Sequence, residues 1–441
     1  MKQINLTINN QLVVAEPGET ILQAAKRIGI AIPTLCNRED LITKGNCRVC
    51  SVEVEGEARL MAACETSVID GMRVHTDSKR VLTARKTIVE MLLSAHNREC
   101  TCCEKTKACQ LQKIADDLEI LDERYPLVYI EDFRKEYNAL LVREPDKCIK
   151  CGRCVDVCSY MQYTYALGML GRGYNTCADF SKKDDIDASG CIGCGKCAEA
   201  CPTGAIYPNK HLTSLWLAID DPNKFVVMYM LREAPFDLGD TAGLKEEISL
   251  PINKAIGFFK DIGIDVVLDA TRAVCLCAKQ REEEFYTIQE SDDGEIPLLT
   301  SDNPSVFRFL EKHKNKLRGQ LSMTPTPMQL MGTYIKTYYS QKLGLEPENI
   351  ITVAITDDLS NKLEVDRPVT EKSMDIVLFN DEIPVLVAQT MVDLNTIKPK
   401  EFDQIFMQIP ESNNKKSNII VFNDPEEVCA WITLSTEGND N

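Results

Sequence analysis

Two cysteine runs with the same spacing leave few folds open to this chain. Cys148-x2-Cys151-x2-Cys154-x3-Cys158 recurs 43 residues later as Cys191-x2-Cys194-x2-Cys197-x3-Cys201. Each run puts three thiolates on one tight loop that can clamp a cubane, and the fourth cysteine of each run reaches the other cluster. One [4Fe–4S] centre is then expected to take Cys148, Cys151, Cys154 and Cys201, and a second Cys191, Cys194, Cys197 and Cys158. Gly152, Gly193 and Gly195 let the backbone approach the inorganic sulfides and donate N–H bonds to them. Pro202 follows Cys201 in the usual way, whereas Ser159 follows Cys158. The insert at 160–189 holds Cys177, read as a free thiol.

Cysteine usage elsewhere points the same way. Seventeen of the 20 cysteines lie before residue 202, in compact groups; Cys275, Cys277 and Cys429 follow. A disulfide scaffold would suit an oxidising compartment, but residues 1–16 alternate apolar and polar and lack the continuous hydrophobic region of a signal peptide. No run approaches the ~20 apolar residues of a membrane helix. The reading is therefore a cytoplasmic, metal-binding chain with no membrane partner. A net charge of −17 argues against nucleic acid, which is held by clustered Lys and Arg.

Before the repeat stand two further groups. Residues 1–78 read as a small sheet with one helix: alternation at 4–8, an Asn9-Asn10 turn, an apolar run at 12–15, helical spacing at 20–25, and short strands at 51–54, 59–63 and 72–76. Cys36, Cys47, Cys50 and Cys64 interrupt this pattern and supply the four thiolates of a [2Fe–2S] cluster. A four-cysteine zinc site is the alternative, although such sites usually show two close C-x2-C pairs. Ser78 is placed to cap a helix reaching about residue 95, with Val81, Leu82, Ile88, Val89 and Leu92 as its apolar stripe. At its end lies His96-x3-Cys100-x2-Cys103-x5-Cys109, with Cys102 as a bystander. A lone histidine is more often structural, yet this one stands a helical turn from clustered cysteines, and the chain has four histidines in all. Zinc again remains open there.

From about 211 onward, apolar runs at 226–231, 264–268, 350–355 and 376–378 read as buried strands. Segments 252–262, 304–316 and 328–343 read as helices, an α/β arrangement.

The order of modules and several local strings resemble the catalytic subunit of [FeFe]-hydrogenases over nearly the whole chain. The ten-residue gap between Cys36 and Cys47 resembles the N-terminal ferredoxin domain of that family and of the large iron–sulfur subunit of respiratory complex I. The His96, Cys100, Cys103, Cys109 spacing matches their histidine-ligated [4Fe–4S] site. Leu299-Thr300-Ser301 before Pro304 is similar to the family string TSCCPxW. Met328-Gln329-Leu330-Met331-Gly332 and Ile335-Lys336-Thr337-Tyr338-Tyr339 are similar to SPQQMFGALIKTYY. Val353-Ala354-Ile355 through Lys362, Glu364 and Asp366-Arg367-Pro368 resembles the stretch containing MPCxxKKFEADRP.

The departures fall on the metal ligands. Asp302 and Asn303 replace the paired cysteines of the first string, and Thr356-Asp357-Asp358 stands where Met-Pro-Cys is expected. The third family string, ExMACxxGC, has no counterpart beyond residue 400, where Cys429 stands without a second cysteine. The family's acidic proton relay aligns with Thr271-Arg272-Ala273-Val274-Cys275, and Cys275 and Cys277 are read as two buried thiols. A carboxylate oxygen does not replace a cubane thiolate. The resemblance thus implies no hydrogen-converting H-cluster and no hydrogenase activity of its own.

The resulting expectation is an α+β multidomain chain. It comprises a β-grasp [2Fe–2S] ferredoxin domain at 1–78, a helical histidine-ligated [4Fe–4S] domain at 79–140, a two-cubane ferredoxin domain at 141–210 and a degenerate hydrogenase-like α/β domain at 211–441. One [2Fe–2S] and three [4Fe–4S] clusters are implied. The crowded glycines at 168–173 lack the strand–helix setting of a dinucleotide loop, so no flavin or nucleotide is expected on this chain. The nearest resemblance is to the A subunit of the Sporomusa-type (Stn) electron-bifurcating ferredoxin–NAD–NADP transhydrogenases. It implies an electron-transfer subunit, catalysing nothing alone, that relays electrons between ferredoxin and a flavoprotein NAD(P)-binding subunit beside a small [2Fe–2S] subunit. The alternative is the same wiring in an NAD-dependent formate dehydrogenase or a bifurcating hydrogenase. A sensor would want an output module, and none is visible.

Overall fold

The computed structural model describes residues 3–121, 124–128, 136–137, 140–181, 186–231, 235–238, 249–290, 298–366, 373–405, 419–421 and 425–428. Arg367, Pro368 and Cys429 lie outside the described residues. The chain divides into two compact units. One comprises Met1–Cys191 with Lys196–Tyr207, the other Ile192–Gly195 with Pro208–Asn441.

The first unit begins with a hairpin, Ile4–Ile8 and Gln11–Ala15, whose turn residues Asn9 and Asn10 both take positive φ. Asparagine tolerates that conformation, and two such residues give the turn whose twist matches the strands. Ile4–Ile8 then pairs in parallel with Arg73–His75, and Ser51–Val54 and Met61–Ala62 complete a five-stranded sheet. The helix Ile21–Arg27 starts in a capping box: the Gln23 backbone N–H donates to the Thr20 hydroxyl (3.3 Å), and the Thr20 N–H donates to Gln23 Oε1 (2.9 Å). Its Ile21, Ala24 and Ala25 pack on Leu6, Ile8, Val13 and Ala15. Each large aliphatic so buried contributes about 1.5–3 kcal/mol. This is the β-grasp arrangement.

Ser78 caps the helix Lys79–Ser94 as expected. Its buried face differs from the expected stripe: Leu82 is exposed, and Arg85 is buried instead. The Arg85 guanidinium is satisfied by three backbone carbonyls, those of Val49 (3.0 Å), Ser51 (3.1 Å) and Thr76 (3.3 Å). An apolar-periodicity argument has no means of placing an arginine that binds its own sheet edge. Gly171 and Gly173 fall at the turn of a hairpin between Leu167–Leu170 and Cys177–Phe180, so the crowded glycines serve a turn.

In the second unit, Val266–Asp269, Phe225–Met230, Ile350–Thr356 and Ile376–Phe379 form a parallel sheet in that order. Val226, Met228 and Met230 pack with the helices Leu212–Asp220, Ile252–Asp261 and Glu382–Thr390. Val227 and Tyr229 pack on the opposite face with Ala273, Met328 and Met331 of Thr271–Glu290 and Pro327–Tyr334. Burial on both faces is why these strands read as unbroken apolar runs. Among the described residues no helix is long and apolar enough to cross a membrane.

Candidate iron–sulfur centres

Every described cysteine is a free thiol. Around the loop at 36–50, the Cys36 thiol is hydrogen-bonded to those of Cys47 and Cys64, and Cys50 Sγ lies 3.4 Å from Cys64 Sγ. The four sulfurs therefore run Cys47, Cys36, Cys64, Cys50. The hydrogen bonds from Cys47 and Cys64 lower the Cys36 pKa to about 2, and the one from Cys64 lowers Cys50 to about 7. Cys47 and Cys64 are pushed up, chiefly because a thiolate at Cys36 would lose those protons. Four thiolates cannot coexist here without a cation among them, which is what bound iron supplies. Among the described residues no three Cys, His, Asp or Glu side chains converge on the position of a single ion.

His96 follows the end of the helix Lys79–Ser94 and is buried, with Nδ1 lacking any partner. Burial lowers its pKa to about 4, so the imidazole stays neutral, as a metal ligand must be. His96, Cys100 and Cys109 line one cavity of about 260 Å³. Cys103 ends the short turn Cys100–Cys102. Burial raises the Cys109 pKa, and the nearby thiols of Cys103 and Cys100 add to the effect. Cys102 is exposed.

Cys148, Cys151, Cys154 and Cys201 line a single small cavity together with Arg143 and Gly152. Burial raises the first three, Cys151 to about 12, and each is raised further by other members of the set. Arg143 is held beside this cavity by a buried ion pair with Asp179. Of the second set, Cys158 and Cys197 are buried on two short helices packed together, Val157–Met161 and Lys196–Ala200. Cys191 belongs to the same unit, whereas Cys194 belongs to the other. The 43-residue repeat is visible in the backbone: Lys150 and Gly152 have positive φ, as do Gly193 and Gly195.

The three modules of the first unit share packing. Cys36, Cys109 and Cys151 lie in one buried cluster with Leu35, Val49, Val89 and Leu111, and Cys47 packs against it. The donor set, the orphaned His96 nitrogen and the buried, mutually opposed thiols all fit iron–sulfur clusters.

The hydrogenase-like positions of the second unit are arranged otherwise. Asp302 accepts from Arg281 Nη2 (2.6 Å). Asn303 Oδ1 accepts from the Ser305 N–H (2.8 Å) and Ser305 Oγ (2.7 Å), capping the helix Pro304–His313. Ser360 Oγ lies 3.1 Å from Asn303 Oδ1 and 2.7 Å from Asp358 Oδ1, and Asp358 also accepts from the Ser360 N–H (2.9 Å). Two segments far apart in sequence are thus brought together, and their polar groups satisfy one another. Ser360 and Arg281 were not read from the sequence; a serine two residues past Asp358 is the local signal that could have found the first. Behind them, fully buried Lys362 donates to Glu382 Oε2 (2.5 Å) and the Asn209 carbonyl (2.5 Å). Cys277 is buried as expected, but Cys275 is exposed, because residues two apart on the helix Thr271–Glu290 face different ways.

Known proteins show the same module order. Family descriptions match at residues 1–79 (2Fe-2S iron-sulfur cluster binding domain) and 85–124 (NADH-ubiquinone oxidoreductase-G iron-sulfur binding region). They also match at 147–205 (4Fe-4S dicluster domain) and 224–419 (iron only hydrogenase large subunit, C-terminal domain). The NADP-reducing hydrogenase subunit HndD of Solidesulfovibrio fructosivorans is 32% identical over 91% of this chain and 71% of its own length. Iron hydrogenase 1 of Clostridium pasteurianum is 28% identical over 90% of this chain and 70% of its own. The NADPH-Fe(3+) oxidoreductase subunit alpha of Geobacter sulfurreducens is 35% identical over 46% of this chain and 24% of its own. The chain belongs to the iron-only hydrogenase family, as one of its hydrogenase-like iron–sulfur electron-transfer subunits.

Proposed function

We propose that this chain relays electrons through one [2Fe–2S] and three [4Fe–4S] clusters and carries out no hydrogen chemistry. Cys36, Cys47, Cys50 and Cys64 would hold the two-iron cluster. His96, Cys100, Cys103 and Cys109 would hold one cubane. Cys148, Cys151, Cys154 and Cys201 would hold another, and Cys191, Cys194, Cys197 and Cys158 the last. When bound, these clusters supply one-electron carriers. The chain's own residues present soft ligands, exclude water and keep His96 neutral.

The contrast between the two sets of motif positions carries this reading. In the first unit, the Cys47, Cys36, Cys64 and Cys50 thiols oppose one another and the buried His96 Nδ1 is unpaired. In the second, Asp302, Asn303 and Asp358 are oxygen-bearing and engaged with Arg281, Ser305 and Ser360. The physiological setting that fits best is a flavin-based electron-bifurcating ferredoxin–NAD–NADP transhydrogenase in the cytoplasm, with the nucleotides on a flavoprotein partner. The names of two relatives, an NADP-reducing hydrogenase and an NADPH-Fe(3+) oxidoreductase, support a nicotinamide-linked complex.

Anaerobic reconstitution tests the reading. The expected iron content is about 14 per chain, two plus three times four. A few irons with stoichiometric zinc would overturn it, and so would hydrogen turnover by chain matured with hydrogenase assembly factors. Purification from the native source should bring down a flavoprotein with a nucleotide-binding domain; a molybdenum or tungsten subunit would instead identify a formate dehydrogenase.

A further inference from the structure

We propose that Arg153 is a positioning residue shared by two centres, holding the Cys36 loop to the Cys151–Cys154 loop and raising the reduction potential of both. The inference rests on the ligand assignment above.

Arg153 stands inside the first cubane run, between Cys151 and Cys154, yet its side chain leaves that loop. Its Nη2 donates to the backbone carbonyl of Asn37 (2.6 Å), the neighbour of Cys36. The residue is 5% exposed, and its Nε has no partner. The thiols of Cys151, Cys36 and Cys47 all act electrostatically on the guanidinium, as does the Arg38 cation, so the charge lies within reach of both sulfur sets. Cys36 and Cys151 also share one packed cluster, so the charge sits in a poorly hydrated region. Arginine keeps its proton even there. Lys44 makes a second tie between the same loops, pairing with Asp156 (2.6 Å), but is itself more exposed.

Each cluster gains negative charge on reduction, and potentials follow net charge, hydrogen bonding and burial around the sulfurs. A buried cation near two clusters therefore favours the reduced state of each. The internal repeat supplies a control. Forty-three residues on, Lys196 occupies the equivalent position, but it is exposed and pairs with Glu199 on its own helix (3.0 Å). A cation at that position is common to both runs; the bridge belongs to the first.

The test uses the full reconstituted chain, with iron counted and each cluster followed by EPR-monitored redox titration. R153Q retains an amide N–H for the Asn37 carbonyl and removes the charge; R153K retains the charge. In R153Q the [2Fe–2S] potential and one cubane potential are expected to fall together at full iron content, with the other cubanes unmoved. R153K should restore most of the shift, and K196Q should leave the [2Fe–2S] potential unchanged. Unchanged potentials in iron-replete R153Q would overturn the proposal. Loss of iron in both Arg153 variants would also overturn it, by making Arg153 a scaffold residue. Absence of the [2Fe–2S] signal from the wild-type chain would instead refute the ligand assignment itself.

Discussion

At their motif positions the two units treat polar side chains differently. In the first, buried groups with strong ligand character are left unpaired or in mutual conflict: His96 Nδ1 has no partner, and Cys47 and Cys64 are held protonated by Cys36. In the second, Asn303, Ser360 and Asp358 close on one another within 3.1 Å. Buried polar groups are normally satisfied, because an unpaired one costs about 1–3 kcal/mol. In the first unit a bound cluster would satisfy the unpaired His96 Nδ1 and the opposed thiols, whereas Asn303, Ser360 and Asp358 already satisfy one another.

The sharpest way to break this comparison is to remove iron. Chelation under reducing, anaerobic conditions should strip protection from backbone amides around 36–64, 96–117 and 145–207, followed by hydrogen exchange. Amides of the sheet at 225–230 and 350–356 should stay protected. Structural metals contribute on the order of 10 kcal/mol of folding free energy per site in zinc peptides, so the expected effect is loss of structure in the first unit. Equal loss in both units would refute the contrast.

Second in size is Lys362→Met. Lys362 is 0% exposed and bonded to Glu382, which also accepts from the backbone N–H groups of Phe379 (2.8 Å) and His211 (2.7 Å). Removing one partner of such a pair costs about 3–5 kcal/mol through the uncompensated charge left behind. Calorimetry should show the second unit's transition lowered on the order of 10 °C, at about 2–4 °C per kcal/mol for a unit of this size. The iron content should not change. A smaller step, Ser360→Ala, removes the hydroxyl between Asn303 and Asp358 and is expected to cost about 1–2 kcal/mol in the same transition. If Ser360→Ala is neutral, the network is decoration rather than closure.

Much of the fold was legible because its signals are local. The Asn9-Asn10 turn, the Ser78 cap and the doubly buried strands follow from residue chemistry and period. The thiol sets were legible because their spacing reflects loop geometry. What escaped were contacts made across the sequence by charged residues. Arg85 satisfies three carbonyls of the β-grasp sheet, and Arg153 reaches Asn37 across more than a hundred residues. The helix Thr271–Glu290 is hard to read from its residues because its mixed polar composition gives little amphipathic signal. The spacing of Cys275 and Cys277 reads as two buried thiols, but the helix turns Cys275 to the exposed face.

The finest comparison is between the two halves of the repeat. Lys150 and Gly193 occupy equivalent positions, both at positive φ, of 59° and 76°. A left-handed conformation costs a residue with a Cβ roughly 1–2 kcal/mol, and glycine does not incur it. Lys150→Gly relieves that cost, but it removes the hydrogen bond from Nζ to the Tyr174 carbonyl (2.7 Å) and the stacking of the ammonium over the Tyr174 ring (4.8 Å). It also adds about 0.5–1 kcal/mol of chain entropy to be lost on folding. The terms nearly cancel, so the net change should lie within about 1 kcal/mol of zero. Gly193→Ala imposes positive φ on a Cβ, so it should destabilise by about 1 kcal/mol. Measured as iron retention against a competing chelator, Lys150→Gly should match the parent and Gly193→Ala should lose iron faster. The reverse order would show that Lys150 supports its loop through Tyr174 more strongly than its backbone strains it.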